Sequence, residues 1–580
     1  MAHIRFDQSR GLLSLPPEIL SNIVDLVESS SLGSLALVNS YCRQLARPHQ
    51  FASFQFAFTL TSHQMLDLLM EEGRQRHSSA NTDRAQYGYL GSCIRRVLVD
   101  SSRRRPARFL YVDGYLRVEE SEAEAAAKLE YMAYIERLQF VIASQSILPT
   151  LEYLDWRHYE GTPSSSFYNG LTSSKIQCLK IRGIPMDADF EIGTDCPSWP
   201  LRALHMESNW IKKKAPDVLM GDRMSPLCTG LLRQCASSLE TLTWISTSST
   251  KSSSNFEADP QSLAADSSHY PQFPKLTVLE VRDINFPESS VFDTLLASPL
   301  SVLVTQHEAG SNIGKSLVKV GCIKSLRTFV WQSRRIPGVP DRCSFDFLQA
   351  NPQISKLCFL SPTPPDPLES ELLPLLHKSF KALTSLSLCW KGNYIPESAL
   401  SIMSGLHMLE QLHLSAGTPA GWRHDWPIDH DLMRNHLSHL PRLRNVAFSR
   451  DTYRLEPSDD PMQGSYYRHT RSSDIVRDIE NLGAENVNHG NLDQLLRMRW
   501  EERHRDRMIA EADEYAISMP KLEWLFIGQL QMRMTESHGS PAVMRHAEVL
   551  TEKRCEKASF LKRMFAWECV DDRSSLGKCA

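Results

Sequence analysis

The stretch LEYLDW, residues 151–156, returns as IQCLKI at 176–181 and LRALHM at 201–206, with apolar residues at the first, fourth and sixth positions each time. The signature continues as LETLTW from 239, LTVLEV from 276, LRTFVW from 326, ISKLCF from 354 and LTSLSL from 383. It ends as LEQLHL from 409, LRNVAF from 443 and LEWLFI from 522, and a weaker copy, IRRVLV, starts at 94. Several spacings fall between 25 and 29 residues. The interval from 276 to 326 holds two steps of that size, so an imperfect copy is expected near 300, where LSVLVT begins. A fixed period of this length governs the whole architecture and is read before any single element.

The period is that of leucine-rich repeats, an α/β solenoid, here with irregular repeats. Each unit is a short strand, a turn and a helix that cannot bury its apolar side alone, and stacking supplies the cover. The helical halves show in LCTGLLRQCASS, with Leu227, Leu231 and Cys235 on one face, and in SALSIMSGLHM, with Leu400, Met403 and Leu406. The Ala-rich run from 119 and the stripe Met508, Ile509, Ala512, Tyr515 and Ala516 predict further helices. Along each strand the fourth and sixth positions face the core and the third, fifth and seventh face outward. The outward residues are Tyr153, Asp155 and Arg157, then Lys180 and Arg182, then His205 and Glu207, with Glu280 and Arg282 on the strand from 276. They make a charged strip of mixed sign and are the candidate substrate-binding residues. Later strands place small or apolar residues there, such as Ser385, Ser387, Ala447 and Ser449. A polar partner is therefore expected on the N-terminal half of the repeats.

The chain has 580 residues, of which 42% are apolar, and this predicts a soluble globular protein with a large core. The formal net charge of -4 implies neither nucleic acid nor an anionic membrane as a bulk partner. The basic run at Arg103–Arg105 reads as a solvated loop. No stretch has the apolar length of a signal core or a membrane span. Thirteen cysteines, an odd number without CxxC pairs, fit reduced thiols of a cytoplasmic or nuclear protein. Polar runs mark loop insertions in the repeat region 146–530, at about 246–272, 361–369 and 450–490. Residues 49–145 form a connecting helical region with the first weak repeat, and 531–580 a C-terminal cap or tail.

Residues 12–48, LLSLPPEILSNIVDLVESSSLGSLALVNSYCRQLARP, differ in character and read as three short helices. Three helices this short cannot cover all their apolar groups, so another chain is expected to cover some. The stretch resembles an F-box through Leu15-Pro16, Glu18-Ile19-Leu20, Ile23, Leu35, Leu37-Val38, Arg43 and Leu45. With repeats following it, the chain resembles the F-box/leucine-rich-repeat family. That resemblance implies a non-enzymatic substrate receptor of an SCF ubiquitin ligase. The F-box would bind the Skp adaptor, and through it the cullin, by Leu15, Pro16, Ile19, Leu20, Ile23, Leu35, Val38 and Leu45, while the repeats hold an unknown protein substrate. A scaffold working outside the ligase is the alternative.

Two patterns suggest other chemistry. Residues 309–316, AGSNIGKS, fit a loose phosphate-loop motif in which Lys315 and Ser316 would serve a nucleotide and its magnesium. The loop lies inside a repeat with room for a helix of only about nine residues before the next strand, too short for a nucleotide-binding crossover. Gly310 and Gly314 therefore read as turn residues, and no cofactor is expected. His424, His430, His436 and His439, with Asp425, Asp429 and Asp431, lack HxxxH spacing and read as solvated helix residues. No nucleophile elbow or activated cysteine is evident.

Overall fold

The computed structural model describes residues 15–78, 89–100, 110–112, 115–117, 122–157, 163–185, 192, 199–209, 226–246, 271–282, 284, 286, 291–307, 312–333, 342–359, 362–392, 394–417, 426, 428–449, 505–528, 530–537 and 544–549. The chain divides into two compact units, a first up to Leu279 and a second from Glu280.

The first unit opens with three helices, α1 (Pro17–Asp25), α2 (Ser29–Val38) and α3 (Ser40–Gln50). Pro17 occupies the first helical position of α1, where a missing N–H leaves nothing unpaired. Asn39 caps α3, its side-chain oxygen accepting the Cys42 N–H at 2.7 Å. Val24, Leu32 and Ala46, one from each helix, form the centre, and Val27, Leu35, Ala36 and Leu45 pack around it. His49 Nδ1 lies 2.9 Å from Asp25 Oδ1 and ties α3 back to α1.

Strands β1 (Ser53–Phe56) and β2 (Arg96–Asp100) follow and pair in parallel. A separate antiparallel pair, β3 (Leu110–Val112) and β4 (Tyr115–Arg117), precedes β5 (Tyr153–Arg157), β6 (Cys178–Pro185), β7 (Ala203–Asn209) and β8 (Thr241–Ser246). Strands β2, β5, β6, β7 and β8 pair in that order, all parallel. Helices α4 (Leu60–Ser78), α5 (Glu122–Ala143), α6 (Ser165–Thr172) and α7 (Pro226–Cys235) make the connections. Gly91 and Gly170 allow close backbone approaches within these connections. A Cβ at Gly91 would stand 2.1 Å from the Ile147 carbonyl oxygen, and one at Gly170 2.6 Å from Ala143 Cβ. Strand β9 (Val278–Arg282) spans the point of division.

The second unit continues with β10 (Val302–His307), β11 (Thr328–Ser333), β12 (Lys356–Phe359), β13 (Ser385–Trp390), β14 (Gln411–Ala416), β15 (Asn445–Ser449) and β16 (Trp524–Gly528), parallel neighbours in sequence order. Helices α8 (Val291–Leu296), α9 (Asn312–Val320), α10 (Arg342–Ala350), α11 (Pro365–Pro367), α12 (Leu373–Ser379), α13 (Glu397–Ser404) and α14 (His430–Leu437) alternate with them, and a helix over 505–518 precedes β16. Strands β17 (Leu530–Ser537) and β18 (Met544–Val549) then add to β16 in antiparallel sense. They fall in the stretch read from the sequence as a cap or tail.

One rule places these strands. Each of the copies at 94, 151, 176, 201, 239, 276, 300, 326, 354, 383, 409, 443 and 522 begins its strand at the third residue of the signature. The cause is a shared acceptor: the N–H groups of the second and third residues both donate to the carbonyl of the second residue one repeat earlier. Gln177 and Cys178 converge on Glu152 O at 2.8 and 3.1 Å, and Arg202 and Ala203 on Gln177 O at 2.7 and 2.9 Å. Ser355 and Lys356 do the same on Arg327 O, both at 2.9 Å. The first residue of each signature is buried beneath this turn, as Leu151, Ile176, Leu326 and Leu409 are. A strand, turn and helix repeated this way is a leucine-rich-repeat-like fold.

The fold corrects two sequence expectations. Gly314 is not a turn residue; it lies inside α9, buried, with Lys315 and Ser316 in the same helix. Helix α9 starts at Asn312, three residues ahead of Lys315, so the backbone there is spent on helix rather than free to wrap a phosphate. Gly310 lies outside the described residues. The expected loop at 361–369 contains α11 and the start of a π-helical turn, Leu368–Leu372, with Leu368 fully buried and Thr363 bridged to Trp390. Its prolines open a helix rather than a solvated loop. Most of the insertion at 246–272 and all of that at 450–490 lie outside the described residues.

Candidate partner-binding surfaces

The first surface is the outside of the helices α1 to α3. Leu15, Pro16, Ile19 and Val38 are exposed, and Ile23 is half-buried. Leu20 is only 2% exposed, and the half-buried Leu35 and Leu45 pack on the internal cluster, so these three help hold the module together. The i, i+4 spacing of Leu20 and Val24 turns that edge of α1 inward, and Val27 follows just past the helix end. The sequence reading overlooked Leu26, 87% exposed, and Tyr41 as surface groups. Leu37, at 80%, was read as part of the motif without a contact role. Apolar groups this exposed on three short helices form an unsatisfied surface.

The second surface is built by β5, β6 and β7. Strand alternation holds: Leu154, Trp156, Leu179, Ile181, Leu204 and Met206 fill the core. The outward residues fall into rows across the sheet, Tyr153–Cys178–Ala203, Asp155–Lys180–His205 and Arg157–Arg182–Glu207. Outward does not mean solvated here, because Asp155 is fully buried and Lys180 and Tyr153 nearly so. Arg157 folds over Asp155, with Nε and Nη2 donating to Oδ2 at 2.9 and 2.7 Å. These hydrogen bonds raise the Arg157 guanidinium further above its ordinary value. Arg182 Nε stands 4.0 Å from Asp155 Oδ1 and 3.7 Å from Glu207 Oε2. The ring of Tyr153 carries Arg96 at 4.8 Å and Lys180 at 5.7 Å, cation over face. Burial pushes the Tyr153 phenol up, with Lys180 pulling against it. His205 is half-buried beside Lys180. On β9, Arg282 Nη2 lies 2.6 Å from Glu280 Oε1, so these two pair along their own strand.

In the second unit the outward row is interior. Val304, Val330, Cys358, Ser387, His413, Ala447, Phe526 and Gln531 stand in register across eight strands, and every one is buried. Within it, Ser387 Oγ lies 2.6 Å from His413 Nδ1, and beside it Ser385 Oγ donates to Gln411 Oε1 at 2.7 Å. Ser385, Ser387 and Ala447 are thus packed rather than facing water; the side chain of Ser449 lies outside the described set.

Among the described residues no group of His, Cys, Asp and Glu could hold a metal ion, and no helix is long and apolar enough to cross a membrane. The histidines of the 424–439 stretch are only partly solvated. His430 is buried with Nδ1 3.1 Å from Tyr515 Oη, and His436 is half-buried 3.5 Å from Glu397. His439 is exposed, and Asp429 caps α14 through Leu432 N–H at 3.0 Å. His424 and Asp425 lie outside the described residues.

No protein-family model matches the chain, and no curated protein matches it. Solved structures with some likeness include an internalin from Listeria monocytogenes, at 16% identity and a TM-score of 0.28, covering 53% of this chain and 69% of that one. A TLR13–ssRNA13 complex shows 16% identity and a TM-score of 0.27 over 54% of this chain and 47% of that one. A leucine-rich-repeat protein of Leptospira interrogans shows 12% identity and a TM-score of 0.22 over 70% of this chain and 96% of that one.

Proposed function

We propose that the chain is a protein-interaction scaffold that serves as the substrate-recognition subunit of an SCF-type ubiquitin ligase. In this reading α1 to α3 bind the Skp adaptor and the strand faces hold a protein substrate. The observation that carries it is the coincidence of the F-box-like sequence with a three-helix module whose Leu15, Ile19, Leu26, Leu37 and Val38 are left exposed. Such a subunit breaks no bond. It raises the effective concentration of a substrate lysine near a ubiquitin-charged enzyme carried by the same assembly.

The test is co-purification. Leu15→Ala with Pro16→Ala should abolish recovery of the adaptor and the cullin while the melting temperature holds. Equal recovery of both partners from variant and wild type sinks the assignment. Recovery of the adaptor without the cullin supports the alternative, a scaffold outside the ligase.

A further inference from the structure

The arginines of β5 and β6 stand side by side, because Arg157 and Arg182 are register partners on adjacent parallel strands. Neighbouring strands lie roughly 4.8 Å apart, so two like charges in one row repel unless something lies between them. Asp155 does so, but it serves the pair unequally. Arg157 takes Oδ2 with two hydrogen bonds, whereas Arg182 remains at 4.0 Å from Oδ1 and 3.7 Å from Glu207. Arg182 Nε is buried without an acceptor in hydrogen-bond range, and Asp155 Oδ1 is likewise buried and unpaired. A guanidinium carries five donors, and burying them unspent costs more than exposing them. Arg202 shows the contrast: its fork closes on both oxygens of Glu240, at 2.9 and 2.8 Å.

Burial decides which charge a partner meets. The side chains of Arg157 and Arg182 are 36% and 30% exposed, while those of Asp155 and Glu207 are 1% and 16% exposed. The carboxylates lie beneath as counter-ions and the guanidinium edges face out. Asp100 on β2, half-buried and in register with Arg157, bounds this edge on one side, so the exposed cation of the strip is centred on Arg182.

We infer that this face accepts an oxyanion of a partner protein, a carboxylate from an acidic segment, with Arg182 as the principal donor and Arg157 beside it. With Nε enclosed beneath it, the exposed part of Arg182 is what a partner can meet, and a planar carboxylate matches the fork of a guanidinium. The inference rests on the reading of the strand face as the partner-binding side and names the chemistry of that partner.

The probe is a fluorescein-labelled deca-glutamate peptide, followed by anisotropy with the full chain at low salt. A deca-lysine peptide and a glycine-serine peptide bearing one phosphoserine run alongside. Deca-glutamate should bind and deca-lysine should not. Arg182→Gln should weaken binding about tenfold, Arg182→Lys by less, and Arg202→Gln not at all. Melting temperatures of the variants confirm that the fold is kept. Equal affinity of wild type and Arg182→Gln, or preference for deca-lysine, overturns the inference. Binding of the phosphoserine peptide alone overturns the carboxylate in favour of phosphate. Adaptor recovery measured on the same proteins separates the two ideas: its loss from wild type defeats the ligase reading, whereas an Arg182-independent peptide defeats only this one.

Discussion

The side chain of Asn351 accepts the backbone N–H of Ile323 at 2.8 Å, reaching from one repeat into the turn of the repeat before it. Its amide donates to Gly321 O at 2.9 Å and to Phe347 O at 2.8 Å, and the residue is fully buried. Backbone groups in a turn have no ladder partner, so one asparagine supplies both the acceptor and the donors they lack. Asn351→Ala leaves a buried N–H and a buried carbonyl unpaired at once. The expected loss is about 2–4 kcal/mol, read as a lower denaturation midpoint. A midpoint unchanged from wild type would show that water replaces the side chain there.

Helices α1 to α3 divide their leucines between two tasks. Leu20, 2% exposed, should behave as a core residue, and Leu20→Ala should cost about 2–5 kcal/mol. Leu26 is 87% exposed, so Leu26→Asp should leave the melting temperature unchanged and reduce adaptor recovery. Reversed outcomes, a destabilised Leu26→Asp and a neutral Leu20→Ala, would mean that the module packs differently.

The repeat was legible because its signal is local and redundant. Leu151, Leu154 and Trp156 are all core positions, and the same pattern recurs often enough to reveal the imperfect copy at 300. Strand β1 escaped because FASFQF opens on phenylalanine where the other copies open on leucine or isoleucine. Yet Arg95 and Arg96 donate to Ala52 O, both at 2.9 Å, by the same convergence as on Glu152 and Gln177. The candidate site was half legible. Alternation gives the side of the sheet on which Asp155 stands, but not that Arg157 and Arg182 would cover it, because that depends on how side chains fold along β5 and across from β6. The internal roles of Leu35 and Leu45 were hidden for the same reason, since a motif records which residues recur and not which way they point.

Lys315 should be functionally ordinary. It lies within α9 beside Ser316, which is 7% exposed and so has little room for a metal ion. ATP or GTP with magnesium should leave the melting temperature unchanged in both wild type and Lys315→Ala. Nucleotide stabilisation of wild type that the variant loses would restore the phosphate-loop reading.

Two buried thiols make the protein sensitive to alkali. Burial pushes Cys235 and Cys358 from 9.0 to about 12, the second against a hydrogen bond with Ser387. An unfolded chain releases these protons near the ordinary thiol value while the folded chain keeps them. Between about pH 9 and 12 the native state therefore binds more protons, and stability falls as pH rises. Each thiol contributes a slope of about 1.4 kcal/mol per pH unit within that window, and below it the effect is absent. Replacing both by Ala should flatten the alkaline limb of a stability–pH curve, although the lost packing lowers the curve throughout. The same burial predicts selectivity at pH 8: iodoacetamide should modify the exposed Cys322 in the folded protein, and Cys235 and Cys358 only after denaturant is added. Peptide mass spectrometry reads both. Modification of Cys358 in the folded chain as fast as Cys322 would show that its row across the sheet opens to solvent.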